Sequence, residues 1–236
     1  MENVGIKFFN DSAYTRKGIV QNPLDEPVAS LPRLLGEEVK LLHNEPDTEL
    51  FKLIKQRRTV RLFDSKAIKF DQLSRLLWSV QGITKSDGNV QYRAVASAGN
   101  RHPLNTYVLA NRVEDLKSGL YLYNPINESL GLTRKGNLGD ELAEACLGQK
   151  SCQMCSVAFI WTAVTARTTA RYQARGYRYI FLDAGHIGAQ LQLACVDMGL
   201  GSCNIAAYLD DAVTQLIGIK SDFELPIYVA VVGWPK

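Results

Sequence analysis

The sequence predicts an α+β domain, a central mixed β-sheet flanked by helices, and three observations predict it. The runs "SVAFIWTAV" (156–164) and "PIYVAVVGWP" (226–235) are continuously apolar, of strand length and rich in β-branched and aromatic residues, as strands covered on both faces are. Apolar residues elsewhere recur at helical spacing, as in Phe70, Leu73, Leu77 and Val80. The long segment 177–199 reads as a helix ending at Gly199. With 236 residues, 46% of them hydrophobic and 22% charged, the chain can bury one sizeable core.

The elements follow in order. Residues 1–46, punctuated by Pro23, Pro27, Pro32 and Pro46 and without clear periodicity, read as an N-terminal arm that wraps over something, a partner surface being one candidate. The folded domain is expected over 47–236. Asp47, after Pro46, is placed to cap a helix carrying Leu50, Leu53 and Ile54 that ends at "QRRTVRLF" (56–63). A second helix is predicted over 70–81, closed by Gly82, and the Gly-, Ser- and Asn-rich stretch 83–99 is expected as a loop. "NTYVLANRV" and "GLYLYNP" read as neighbouring strands joined through Gly119, followed by a short helix near 137–147. Beyond the long helix come a strand near 201–208, a short helix capped by Asp210, and the last buried strand.

Composition excludes several classes of function. The balance of 27 basic against 24 acidic side chains falls far short of the excess expected for life on nucleic acid. No apolar stretch suits a membrane span, because the longest, 177–200, is interrupted by Arg178, Asp183 and Asp197. Five cysteines, an odd number with no secretory signal before them, suggest reduced thiols and a cytoplasmic setting. Cys152 and Cys155 form a C-x-x-C without a second ligand pair, and Cys195 and Cys203 read as small apolar fillers. With three scattered histidines no metal site is expected, and His43 carries no signal.

Three stretches bear chemistry. In "QRRTVRLF", Arg57, Arg58 and Arg61 surround Thr59 where a helix gives way to a loop, and guanidinium forks bind phosphate oxygens bidentately. The alternative is a solvated helix end whose arginines complement the helix dipole. In "ASAGNRHPLNTY" (96–107), small residues allow close approach of a flat ligand, Asn100 offers amide groups and Pro103 fixes a turn. "GLGSCNIAAY" (199–208) leaves backbone amides open at its glycines and alanines. Tight packing alone would also explain either of the last two.

Together with "LLWSVQGIT", "RGYRYIFLDAGH" and "MGLGSC", these stretches resemble the nitroreductase family of FMN-dependent oxidoreductases over about residues 48–235, with the SagB-type azoline dehydrogenases the most similar branch. The resemblance implies the nitroreductase fold, an intertwined homodimer and two FMN sites at its interface. It places Arg57, Arg58 and Thr59 on the FMN phosphate and ribityl chain, and Arg61 at the pyrimidine end of the ring. It brings Ser97, Ala98, Gly99 and Asn100 from the neighbouring subunit, and sets Gly201, Ala206 and Ala207 beside the flavin. A fixed cation near the pyrimidine carbonyl would stabilise the charge that reduction places there. NAD(P)H is the implied reductant, in ping-pong order with a small unsaturated, nitro, quinone or heterocyclic acceptor.

The chain also departs from the family. Many members carry a basic segment after the "GWP"-like sequence, a place this sequence fills only with Lys236. Azoline-oxidising members share a Lys-Tyr pair where this chain has Arg171-Tyr172, and arginine, with a pKa above about 12, is no base near neutral pH. Azoline oxidation of a ribosomal peptide is thus the second reading, and a flavin-binding module without turnover the third. Tyr172 and His186 are the candidate catalytic side chains, although His186 reads more readily as a core histidine bonded to Asp183. His102 lies in the flavin-binding stretch. The Arg- and Tyr-rich segment 171–179 suits a substrate mouth or dimer packing better than single-stranded nucleic acid.

Overall fold

A computed structural model describes residues 4–16, 39–41, 48–88, 90–220 and 224–236. Its centre is a six-stranded sheet in the order β5-β4-β3-β6-β8-β7. The strands are β3 (Leu104–Ala110), β4 (Gly119–Asn124), β5 (Ser129–Lys135), β6 (Val157–Ala163), β7 (Gly201–Ile205) and β8 (Leu225–Gly233). Every neighbouring pair in this sheet is antiparallel, which corrects the expected mixed sheet. Its strands need no parallel crossover; among the described residues parallel pairing appears as isolated bridges, Thr59 to Ser202 on the β7 edge and Ile68 to Val113.

Helices on both faces are borne out, and the pleat of β6 explains how. Val157, Phe159, Trp161 and Ala163 point into one core with Leu73, Leu76 and Leu77 of α3 (Phe70–Gln81) and Ile180, Ile187 and Leu191 of α7 (Gly176–Asp197). The alternate residues Ala158 and Ile160 enter a second core. There they meet Leu142 and Ala145 of α4 (Gly139–Ala145), Cys152 of α5 (Lys150–Met154), and Val213 and Leu216 of α8 (Asp210–Ile217). A strand buried on both faces must be apolar at every position, hence the unbroken run.

Several elements depart from expectation. The stretch 83–99 is not simply a loop: β1 (Ile83–Asp87) and β2 (Val90–Arg93) form a separate antiparallel hairpin, followed by a 3₁₀ turn at Ala98–Asn100. An Asp-Gly pair at its tip, with Gly88 at φ +56, was the available signal. β5, mostly exposed at the sheet edge, carries too little apolar patterning to predict. Within the N-terminal arm, α1 (Val4–Ser12) packs Phe9 on Tyr177 and Phe181 of α7, with ring centroids 5.9 and 5.4 Å apart. Part of the arm therefore wraps over its own chain. The proposed Asp47 cap, Pro46, His43 and the other arm prolines lie outside the described residues, and Thr48 occupies the N-cap position of α2 (Glu49–Gln56). Asp210 is the first residue of its helix rather than its cap; its Oδ2 instead accepts the Tyr14 N–H at 3.0 Å, fastening the arm. All five cysteines are buried and free, as small apolar residues would be.

Candidate functional site

The arginine stretch takes its shape from β7. Arg57 caps α2 with extended backbone, and the chain then runs along the sheet edge, Thr59 bridging Ser202 and the Val60 N–H donating to the Ser202 carbonyl at 2.9 Å. Gly201 makes this approach possible, since a Cβ there would lie 2.7 Å from the Val60 Cβ. Arg58 turns back and donates to the Lys55 and Arg57 carbonyls, each at 2.8 Å, closing the helix end as the alternative reading supposed. Arg57 has no carboxylate partner among the described residues. Arg61 lies beside Cys203, whose thiol burial pushes up while the guanidinium pulls it partly back. The C-terminus returns to the same strip: the Lys236 N–H donates to the Leu62 carbonyl at 3.2 Å.

The second stretch is an anchored, strained loop. Gly99, Asn100 and His102 adopt φ of +59°, +56° and +44°, in the left-handed region. Asp183 of α7 holds it, accepting the Ser97 hydroxyl at 2.6 Å and the Ala98 N–H at 3.2 Å. Burial raises the Asp183 pKa, and these two donors oppose the rise. Asn100 Nδ2 donates to the Gln91 carbonyl of the hairpin at 2.9 Å. Tyr172, at the end of α6 (Ala166–Tyr172), reaches the loop, its hydroxyl 2.3 Å from where a Gly99 Cβ would stand. Its ring stacks edge-on against Tyr179, centroids 4.9 Å apart, and the Arg171 guanidinium sits 5.4 Å from its centre. Asp183 is thus the positioning residue that sequence reasoning assigned elsewhere. His186 is exposed rather than buried, and Asp183 spends its oxygens on the loop.

The third stretch ends β7 at a cavity of about 710 Å³, where Ala206 and Ala207 are joined by Phe8, Phe9, Phe181 and Tyr228. Asn204, one turn of the pleat earlier, keeps a buried Oδ1 without a partner among the described residues. A cavity lined by aromatic rings and small alanines suits a flat heteroaromatic ring.

One chain does not gather all three stretches. The 97–100 loop leads into β3, and β6 and β8 separate that strand from β7. At ~4.8 Å per strand this is roughly 14 Å across the sheet. The arginine strip and Ala206–Ala207 share β7; Ser97 to Asn100 and Tyr172 form a separate group on α7.

The sheet with helices on both faces and this β7 strip define an oxidoreductase fold of the nitroreductase type. Residues 54–234 match the Nitroreductase family, and the chain belongs to it. It is 32% identical over 191 residues to the nitroreductase-like protein MJ1384 of Methanocaldococcus jannaschii, covering 80% of this chain and 93% of that one. It is 23% identical to the trifolitoxin operon protein TfxC of Rhizobium leguminosarum, over 88% of this chain and 62% of that one. Among solved structures, a nitroreductase-like protein from Anabaena variabilis superposes with a TM-score of 0.69 at 30% identity, over 80% of this chain and 38% of that one. The E. coli microcin synthetase McbBCD, solved with truncated pro-MccB17, has a chain of the same fold, with a TM-score of 0.69 at 17% identity over 100% of this chain and 95% of that one. A Desulfovibrio desulfuricans protein solved with FMN shares the fold at a TM-score of 0.57 and 14% identity, over 80% of this chain and 88% of that one. No helix among the described residues is long and apolar enough to cross a membrane.

Proposed function

We propose that this nitroreductase-family oxidoreductase binds FMN on the β7 strip and passes hydride between NAD(P)H, or an organic donor, and a small unsaturated, nitro, quinone or heterocyclic acceptor. The observation that carries the reading is the continuity of the strip: cationic side chains along β7 lead to Ala206 and Ala207 at an aromatic cavity. Arg57 and Thr59 would hold the phosphate, with Arg61 at the pyrimidine end and Gly201 keeping the strip close to the sheet. Arg58, engaged with two carbonyls, contributes charge more than a free fork. When bound, FMN supplies the two-electron chemistry. The chain's own residues bind and orient it, Asn204 offering an acceptor and Arg61 stabilising negative charge. Ser97, Ala98, Gly99 and Asn100 would reach a second copy's flavin, making the working unit a cytoplasmic homodimer.

The test is the absorption spectrum of the purified protein, with added FMN and then NAD(P)H in the absence of oxygen. Flavin bands that appear stoichiometrically and bleach are expected; a protein that leaves FMN free in solution overturns the proposal. Arg57→Ala should weaken FMN binding by about 1.5–3 kcal/mol, the range for a hydrogen bond to a charged group, as read by fluorescence titration.

A second reading, azoline oxidation on a ribosomal peptide, is favoured by the similarity to a trifolitoxin operon protein and to a microcin synthetase chain. Arg171 stands against it, since a guanidinium offers hydrogen-bond donors and no acceptor for a proton. Turnover of a thiazoline-containing peptide that is lost in Tyr172→Phe would support this reading.

A further inference from the structure

A second cavity, of about 570 Å³, opens between the β1–β2 hairpin, the strained loop, the start of β3 and the turn after β4. Arg93, Arg101 and Arg167 line it, and among the described residues no aspartate or glutamate does. Among the described residues each guanidinium is tied only to neutral groups. Arg93 Nη1 donates to Gln81 Oε1 at 2.6 Å, Arg167 Nη1 to Asn105 Oδ1 at 2.8 Å, and Arg101 Nε to the Arg167 carbonyl at 2.7 Å. The Arg93 Nε–H is buried with no acceptor among the described residues. Glu224, which does not line the cavity, is separated from Arg167 by the Asn105 amide and already accepts from Asn105 and Thr162.

Cations gathered this way repel one another. Burial and the neighbouring Arg167 both lower the Arg93 pKa, while His102, pushed down to about 4 by burial and by Arg93, stays neutral and adds no charge. The far wall is apolar, built from Val90, Pro125 and Ile126. An inorganic ion would leave that wall and most of the volume unfilled. An organic anion fills both halves, its charged end meeting guanidinium forks suited to planar oxygen pairs.

We propose that this cavity binds an organic oxoanion, a carboxylate or phosphate held by Arg93 and Arg167 with its apolar body against Val90 and Ile126. The proposal does not depend on the flavin reading. Gly99 and Asn100 also border the cavity, so FMN affinity is measured alongside.

The experiment is calorimetric titration of the full chain, with and without saturating FMN, using benzoate, phenyl phosphate and the neutral benzamide. Benzoate or phenyl phosphate should bind at least tenfold more tightly than benzamide, and whichever of the two binds identifies the charged group as carboxylate or phosphate. Arg93→Gln and Arg167→Gln should each weaken that anion at least tenfold while FMN affinity is unchanged; Arg167, on the exposed side, serves alone if the Arg93 variant does not fold. Arg57→Ala should do the reverse, so a failed flavin assignment leaves this result readable. Equal binding of benzoate and benzamide, no binding of either anion, no effect of the glutamine variants that fold, or a matching loss of FMN affinity in them would overturn the proposal.

Discussion

At the scale of single residues, Gly99 shows how strain and contact meet. Its φ of +59° costs a residue with a Cβ roughly 1–2 kcal/mol, and that Cβ would also stand 2.3 Å from the Tyr172 hydroxyl. Gly99→Ala should therefore lower stability by at least that conformational cost, as measured by urea denaturation. Combined with Tyr172→Phe, which removes the hydroxyl, it should recover the steric share and keep the conformational share. A double variant no more stable than the sum of the singles would disprove the contact. Residue type was legible here, because "SAGN" announces small side chains and tolerant backbone. What holds the loop was not: Asp183 is a carboxylate in the middle of a largely apolar helix, and only the fold brings it within 2.6 Å of Ser97, 86 positions away. The expected hydrogen bond to His186 is not made because Ser97 and Ala98 take the carboxylate, and His186 acts on it through charge alone, lowering its pKa. Asp183 is buried against the loop, while His186 is exposed.

At the scale of elements, the sequence yields those whose pattern is set by burial. β6 and β8, covered on both sides, read directly from their apolar runs, and α3 from its period. β5 and the β1–β2 hairpin stay exposed, so no burial imprinted a pattern on them. The arm hid a different feature, the clamp between Tyr14 and Asp210. Burial raises Asp210 to about 6, opposed by the Tyr14 N–H. An unfolded chain releases this proton near 3.8 and the folded chain near 6, so between those values the native state binds more protons and its stability falls as pH rises. The stability difference between the wild type and Asp210→Asn should accordingly drop from pH 4 to 6 and stay level above. Deleting residues 1–16, which unburies the carboxylate, should shrink that drop, and an unchanged profile would show that the arm does not bury it.

At the scale of the whole molecule, the flavin reading proposed above puts two halves of a site on separate parts of one chain. The arginine strip follows the β7 edge, while the Ser97–Asn100 loop, fixed to α7, leads into β3, with two strands between. Two copies can complete both sites at once, because a two-fold axis that carries the loop of one onto the strip of the other does the same in return. The surface is prepared for it. α2 is amphipathic yet has no buried residue, and Leu50, Phe51 and Ile54 are 56%, 55% and 49% exposed. Phe181 and Leu182 of α7 are likewise exposed, at 40% and 60%. Apolar groups repeated along two helices rather than scattered singly suit the face that such a dimer would bury. If α2 contributes to it, Ile54→Lys places a charge in a face that association would bury. Sedimentation should then show a shift from dimer to monomer, and FMN retention should fall with it although Ile54 is not itself among the flavin candidates. A variant that stays dimeric, or a monomer that keeps FMN at full affinity, would separate the two halves of the site and place the whole of flavin binding on the β7 strip of a single chain.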